Sequence, residues 1–470
     1  LFTKVRNWVS DRFGLGPIGK HFLYRRVPKT SWYYGDGSTL LLLLFVMIAT
    51  GGLMALTYTP SIDHAYKSVA YITQEQPLGW FIRALHYWSA GLMVVMVLFH
   101  VFRHLLLGGY KFPREGTWLI GIFLMVCVFI MGFTGYLLRW DERAVYATTV
   151  VLHMFGRIPW IGDELVMFVQ GGRELGALTL TRLYAVHVIL VPLLLLGLAG
   201  YHLYLVVLHG VTSLAERRRP IRSVEEHREL YHRTAESETE GEVFHPETTA
   251  QSAAMAGTVF LLAIALALFS GPQALYPEAN LVDPSMPEEE WWYWWYSALI
   301  ALTPSAIAPA LMLLFPLAVL FFLTALPFAD RSPNRGLRGR PFMVTGTVAA
   351  ILVLLYLSGL RFESPWTGWP RGEPPPVPSG VTLSPEAERG RQLFSQYGCN
   401  SCHAIAGQGP KVGPDLTAMQ RRLSATKMRN FIERPPPGAA MPAYGQRLSP
   451  EQYDRLVSFL MAVQTFPREH

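Results

Sequence analysis

Residues 83–103 read RALHYWSAGLMVVMVLFHVFR, an apolar stretch that carries His86 and His100 fourteen residues apart. Residues 181–210, TRLYAVHVILVPLLLLGLAGYHLYLVVLHG, repeat the device with His187 and His202, fifteen apart. Fourteen residues of α-helix rise roughly 21 Å and return to nearly the same face, against a bilayer core about 30 Å thick. A lone histidine in such a helix is most simply a polar group bonded to a neighbouring helix. Ionisable groups in hydrocarbon are costly, however, and two matched pairs in two helices point to function. The spacing predicts one histidine pair near each membrane surface, His86 with His187 and His100 with His202, as axial ligands of two stacked b-type hemes.

The rest of the chain supports a membrane protein. Of its 470 residues, 51% are hydrophobic and 16% charged, which excludes an ordinary soluble enzyme. The net charge of +6 does not signal nucleic acid, because the basic residues cluster in loops between apolar runs. Seven runs are long enough to span, about 38–58, 80–107, 116–138, 181–208, 252–271, 295–327 and 341–360. The expected fold is all-α: a four-helix di-heme bundle, three further transmembrane helices and a small helical domain outside the membrane. Val5 to Phe13 look amphipathic, as in a helix lying on the membrane surface.

The Lys/Arg bias orients the spans. The N-terminus and the loops carrying Lys111 and Arg114, Arg217 to Arg222, and Arg331 to Arg340 should face the cytoplasm, while the loop 271–290 has no Lys or Arg and should face outward. The C-terminal region then lies outside, His86 and His187 near the outer surface, His100 and His202 near the inner one. Residues 215–250 read as a solvated cytoplasmic connector in which His227, His232 and His245 have no assigned role.

After the last span comes RFESPWTGWPRGEPPPVPSG, residues 361–380, a semi-rigid tether. Beyond it Cys399-Asn400-Ser401-Cys402-His403 has the CxxCH spacing of a heme c attachment site. Two thiols can link both vinyl groups of one heme, and His403 supplies an axial nitrogen. The expected sixth ligand is Met441, in AMPAYG, rather than Met419 or Met428, which stand in helical context; a thioether ligand raises the heme potential. Cys127, in an apolar helix, reads as an inert buried thiol. Heme c is attached outside the cytoplasm, in agreement with the topology from charge. Gly37 and Gly51, and Gly121 and Gly135, repeat the fourteen-residue spacing in the first and third spans. Such glycines commonly let helices approach; two pairs at the histidine repeat suggest macrocycles pressed against bare backbone at both levels.

With RALHYWSAG, HVFRHLLLGGYKFPRE, TGYLLRWDE and TLTRLYAVH in place, the chain resembles cytochrome b of the cytochrome bc complexes. The likeness is strongest to the split form of plastids and cyanobacteria, whose histidines show the same fifteen-residue spacing and whose four-helix protein is followed by a three-helix subunit IV. The resemblance implies residues 1–214 as the four-helix cytochrome b domain, 215–250 as linker, 251–362 as a subunit IV-like domain, 363–382 as tether and 383–470 as a cytochrome c domain. It also implies a quinol:cytochrome c oxidoreductase with two hemes b and one covalently bound heme c. Quinol would be oxidised at an outer site, one electron passing through a Rieske iron–sulfur protein to heme c. The other would cross the membrane to an inner quinone site, coupled to proton translocation. Implied partners are the Rieske protein, a soluble or membrane-bound cytochrome c or other acceptor, quinone, membrane lipid and a second copy of the chain. The location implied is the bacterial cytoplasmic membrane, with the c domain periplasmic.

Residue by residue, the resemblance pairs Arg83 with a heme propionate. It aligns the family's outer-site Pro-Glu-Trp-Tyr with Glu289-Glu290-Trp291-Trp292, so Glu290 is the quinol proton acceptor beside Trp291 and Trp292. Arg139 stands where a proline is usual, and Asp141 would assist proton exit. Gly35 replaces the cysteine that binds an additional heme c in the plastid branch, and Tyr87 replaces a basic residue. Two other readings remain: a non-bifurcating electron-transfer or scaffold subunit with a degenerate quinol site, and a membrane anchor for another oxidoreductase.

Overall fold

The structure is a computed structural model that describes residues 24–470, except 157, 159, 173–174, 280–289, 305–306, 364–373, 379, 398, 402, 407–414, 420–422, 436–443, 446–447, 464–465 and 467–470. The stretch Val5 to Phe13 therefore lies outside the described residues. Contacts divide the chain into two compact units, Leu1–Pro284 with Pro309–Leu352, and Ser285–Ala308 with Val353–His470.

Among the described residues seven helices are long and apolar enough to cross a membrane. They are α1 (Asp36–Ala55), α2 (Gly79–Leu107), α3 (Glu115–Leu137), α4 (Ala177–His209), α5 (Thr249–Phe269), α6 (Ala308–Ala329) and α7 (Pro341–Glu363). In the first unit α1 packs on α2 and α5, and α3 on α4. Leu43, Met93, Val97, Ile122 and Met125 form a core that also takes in Leu323 and Leu326 of α6. The α5 contact is made by small residues, Ala263 and Ala267, against Val46, Ala84 and Leu85. With lipid as apolar as the core, such close approach and dispersion hold the helices together. Cys127 is buried beside Val191 and Leu195.

Two departures from regular helix have local causes. α2 stops at Gly108, whose φ of 66° is the left-handed cap conformation open to glycine. In α4 the turn Val186–Leu190 is a π-turn, closed by the Val191 N–H on the Val186 carbonyl. Pro192, with no N–H to give, stands in the first turn of the regular helix that follows from Val191. A π-turn absorbs one extra residue. The fifteen-residue spacing of His187 and His202 thus remains level with the fourteen of His86 and His100.

The expected span 295–327 is instead two helices, Trp294–Ala301 and α6. Its apolar composition is continuous, but Pro304 interrupts it and disfavours helix at the residue before it, while Pro309 stands in the first turn of α6, where a proline is tolerated. The seventh helix, α7, runs on through Glu363.

The connector is solvated only in part. Ser213 and Ser223 cap helices Leu214–Arg218 and Val224–Glu236, their hydroxyls accepting from the Glu216 and Glu226 N–H groups. Strand Gly241–Val243 then pairs antiparallel with Arg26–Pro28. Glu216 is fully buried. It accepts from both terminal nitrogens of Arg114 at 2.9 and 2.8 Å, with His227 Nε2 at 3.4 Å and Arg335 Nε at 3.8 Å. Burial alone would raise its pKa; Arg114 above all, with His227 and Arg335, outweighs that and holds it at about 2. Nearby Lys111 reaches Asp330 at 2.6 Å, and Tyr110 donates to the same carboxylate. These pairs gather the α2–α3 loop, the connector and the α6–α7 loop at one end of the bundle.

In the second unit, helices Pro385–Gln396 and Pro450–Ala462 pack on each other. A Cβ at Gly390 would overlap the Arg455 carbonyl, so glycine is what lets them cross so closely. Phe394 meets Phe459 edge to face at 5.6 Å, and Met428 lies in the same core.

Candidate heme and quinol sites

α2 and α4 bring the four transmembrane histidines into two facing tiers. The ring centroids of His86 and His187 are 6.5 Å apart and those of His100 and His202 are 6.4 Å apart. Metal–imidazole bonds of about 2 Å place two rings on one metal with centroids roughly 6 Å apart. Each histidine also faces a glycine of α1 or α3. Ideal Cβ atoms at Gly51, Gly135 and Gly121 would lie 3.2, 2.5 and 3.3 Å from the Cε1 atoms of His86, His187 and His202, and at Gly37 3.9 Å from that of His100. The four residues of each kind therefore fit two bis-histidine hemes seated against bare backbone.

What stands behind the rings was missed in the sequence. Thr50 Oγ1 donates to the Val46 carbonyl at 2.6 Å and lies 2.9 Å from His86 Nδ1. Thr134 does the same with Ile130, 2.8 Å, and His187 Nδ1, 3.0 Å. With its one proton spent on a carbonyl, each hydroxyl must accept from Nδ1–H, which leaves Nε2 free to bind metal. In the second tier His100 Nδ1 lies 3.1 Å from Asp36 Oδ2. The signal was available: Thr50, Thr134 and Asp36 each immediately precede one of the glycines.

Arg83, buried at the His86 level, donates to Thr73 Oγ1 at 3.1 Å and to the Gln273 carbonyl at 2.7 Å. Arg139 donates to the Gln273 side chain and lies over the Tyr136 ring at 4.3 Å. Asp141 is fully buried. It accepts from the Ala144 N–H at 2.9 Å at the start of helix Glu142–Gly156 and pairs with Arg139 at 3.3 Å. At the other end, Gly35 faces α5 so closely that a Cβ would lie 3.1 Å from both Met255 Cβ and Ser252 Cα. A side chain there would require α5 to give by a few tenths of an ångström.

In the second unit Glu290 opens the short turn Trp291–Tyr293 and its carbonyl accepts from the Tyr293 N–H at 2.8 Å. Trp291 and Trp292 meet edge to face at 5.4 Å. Burial, then Glu290, pushes the Tyr293 hydroxyl up to about 12. Cys399 begins a tight turn, and the His403 N–H donates to its carbonyl at 3.1 Å, so thiol and imidazole leave one short loop together. This donor pair suits a heme c. Cys402, Met441 and Glu289 lie outside the described residues.

Residues 24–211 match the family model cytochrome b/b6/petB, and residues 385–460 match that of cytochrome c oxidase, cbb3-type, subunit III. A cytochrome b6 of Crocosphaera subtropica is 37% identical over 212 residues, 45% of this chain and 96% of that protein. A cytochrome b of Mycosarcoma maydis is 31% identical over 345 residues, 72% of this chain and 82% of that one. The fold is shared with a solved hyperthermophilic respiratory Complex III, at a TM-score of 0.64 and 23% identity over 84% of this chain and 95% of that one.

Proposed function

The chain belongs to the cytochrome b/b6 family and ends in a cytochrome c domain, and from that premise we propose that it forms the quinol-oxidising core of a proton-translocating bc-type complex. His86 with His187, and His100 with His202, would hold two hemes b; Cys399, Cys402, His403 and Met441 would hold one heme c. When bound, these groups supply one-electron carriers. The observation that carries the reading is the pair of histidine tiers, 6.5 and 6.4 Å across, each ring set against a glycine.

The chain's own residues have distinct tasks. Glu290 accepts a proton from the quinol hydroxyl, with Trp291 and Trp292 walling the site. In the first unit Arg83 would offer a cation to a propionate, and Asp141 holds Arg139 and caps the helix beside it. One electron leaves to a Rieske iron–sulfur partner and the other returns across the membrane to an inner quinone site. Gly35 stands where the plastid branch has a cysteine, so no thioether-bound heme is expected at the inner site. The working form is a homodimer in a bacterial cytoplasmic membrane with the c domain outside, divided at 1–214, 215–250, 251–362, 363–382 and 383–470.

The test is oxidant-induced reduction of heme b in the purified complex with the inner quinone site inhibited. Transient b reduction after an oxidant pulse is expected. Reduction of heme c alone would overturn bifurcation and favour a simple electron-transfer subunit, consistent with Glu289 and Trp292 standing where the family has proline and tyrosine. Glu290→Gln should lower turnover about 10²–10⁴-fold, the usual contribution of a positioned general base; unchanged turnover and pH profile would remove Glu290 from that role.

A further inference from the structure

Asp36 is a carboxylate placed where the membrane helices begin, and it has no solvent exposure at all. Every partner needed to keep such a charge buried is present. Arg103 grips it with Nε at 2.6 Å and Nη2 at 2.9 Å, and the Gly37 N–H donates to Oδ1 at 2.7 Å. Asp36 also occupies the first turn of α1, where the helix dipole favours an anion. The remaining neighbour is His100 Nδ1, 3.1 Å from Oδ2. An ionised carboxylate only accepts, so Nδ1 carries the proton and Nε2 is left to bind a metal.

We infer that Asp36 is a positioning residue that sets the reduction potential of the His100/His202 heme by accepting the Nδ1–H of its ligand. The inference rests on His100 being that ligand. A carboxylate is a stronger acceptor than the hydroxyls behind His86 and His187; it raises imidazole basicity and favours the oxidised metal. Arg103 keeps the acceptor ionised, while Ile120, which precedes the glycine facing His202, offers no side-chain acceptor. Within this tier the two ligands differ in basicity. Between the tiers the supporting groups differ in charge.

A purified complex carrying Asp36→Asn is compared with the unaltered complex by redox titration of the b band and by EPR of the low-spin hemes. One b component, and only one, should shift upward, by about tenfold in its reduced-to-oxidised ratio at fixed ambient potential, which is about 59 mV for one electron. Its EPR anisotropy should change with it. Asp36→Asn alone leaves Arg103 buried and unpaired, so Asp36→Asn with Arg103→Gln is the second variant; it removes both charges and keeps the net charge of the pair. A shift that persists in the double variant supports action through the ligand. A return to the original potential, or two hemes with no shift in either variant, overturns it. An unaltered complex with fewer than two bis-histidine hemes b would instead remove His100 as a ligand, and the heme count tells that failure apart.

Discussion

Behind His86 and His187 stand the hydroxyls of Thr50 and Thr134, each already donating to its own helix. Behind His100 stands the Asp36 carboxylate with Arg103 attached to it. Both arrangements fix the same tautomer, so both prepare a metal ligand; they differ in the charge held nearby. A hydroxyl serves anywhere in a bilayer because its single proton can be returned to the helix backbone. An ion pair needs a helix end, where a dipole, a free N–H and a counter-ion converge. Asp36 and Arg103 have all three. The same end of the bundle also collects the Arg114–Glu216–Arg335 and Lys111–Asp330 pairs.

The largest expected effect breaks the tiers apart. His187→Leu should remove one heme b and leave the other, and His202→Leu should do the converse, as counted from the b-band absorbance per polypeptide. Gly135→Val should behave like His187→Leu, since even its Cβ would lie 2.5 Å from that ring. Gly37→Ala should keep both hemes, because its Cβ has 3.9 Å to His100. Loss of both hemes from any one of these changes would show that the tiers do not assemble independently.

The next effect concerns charge at the second-tier end. Glu216→Gln leaves Arg114 and Arg335 without their carboxylate, and removing one partner of a buried pair costs about 3–5 kcal/mol. The midpoint of thermal loss of the b-heme spectrum should fall clearly at neutral pH. The sign of the pH dependence follows from the depressed pKa. A carboxyl lowered from 4.5 to about 2 contributes stability that is complete above pH 4.5 and is lost as pH falls toward 2. Acidification through that window should therefore destabilise the original chain more than the Gln variant. Parallel losses would place the acid-labile charge elsewhere.

These effects also mark what the sequence made legible. The histidine tiers and their glycines were readable because helix geometry converts spacing into height and face. The π-turn that reconciles fifteen residues with fourteen was not, although Pro192 lies close to it. The fold of 215–250 was hidden because Glu216 and His227 look solvated beside their neighbours in the chain. Their partners, Arg114 and Arg335, come from loops about a hundred residues away on either side. The sixth span was misread because apolarity outweighed Pro304. Asp36 drew no reading from the sequence, yet its place before Gly37 matches that of Thr50 before Gly51 and Thr134 before Gly135. The four X-Gly pairs, compared as a set, carried the tier asymmetry in plain view.

The smallest expected effect sharpens the comparison most. Thr50→Val keeps the shape of the side chain but removes the acceptor for His86 Nδ1, and Thr134→Val does so for His187. A neutral hydrogen bond contributes about 1 kcal/mol net, so both hemes should stay bound. The potential of the His86/His187 component should rise less than that of the other component does in Asp36→Asn. Thr50→Ser should restore it, since serine returns the hydroxyl. The order matters more than either size: a carboxylate withdrawn from one tier must outweigh a hydroxyl withdrawn from the other if charge behind the imidazole is what separates them. Equal shifts in redox titrations of the two variants would mean that the partner only fixes the tautomer. Asp36 would then matter for holding Arg103 rather than for tuning the ligand.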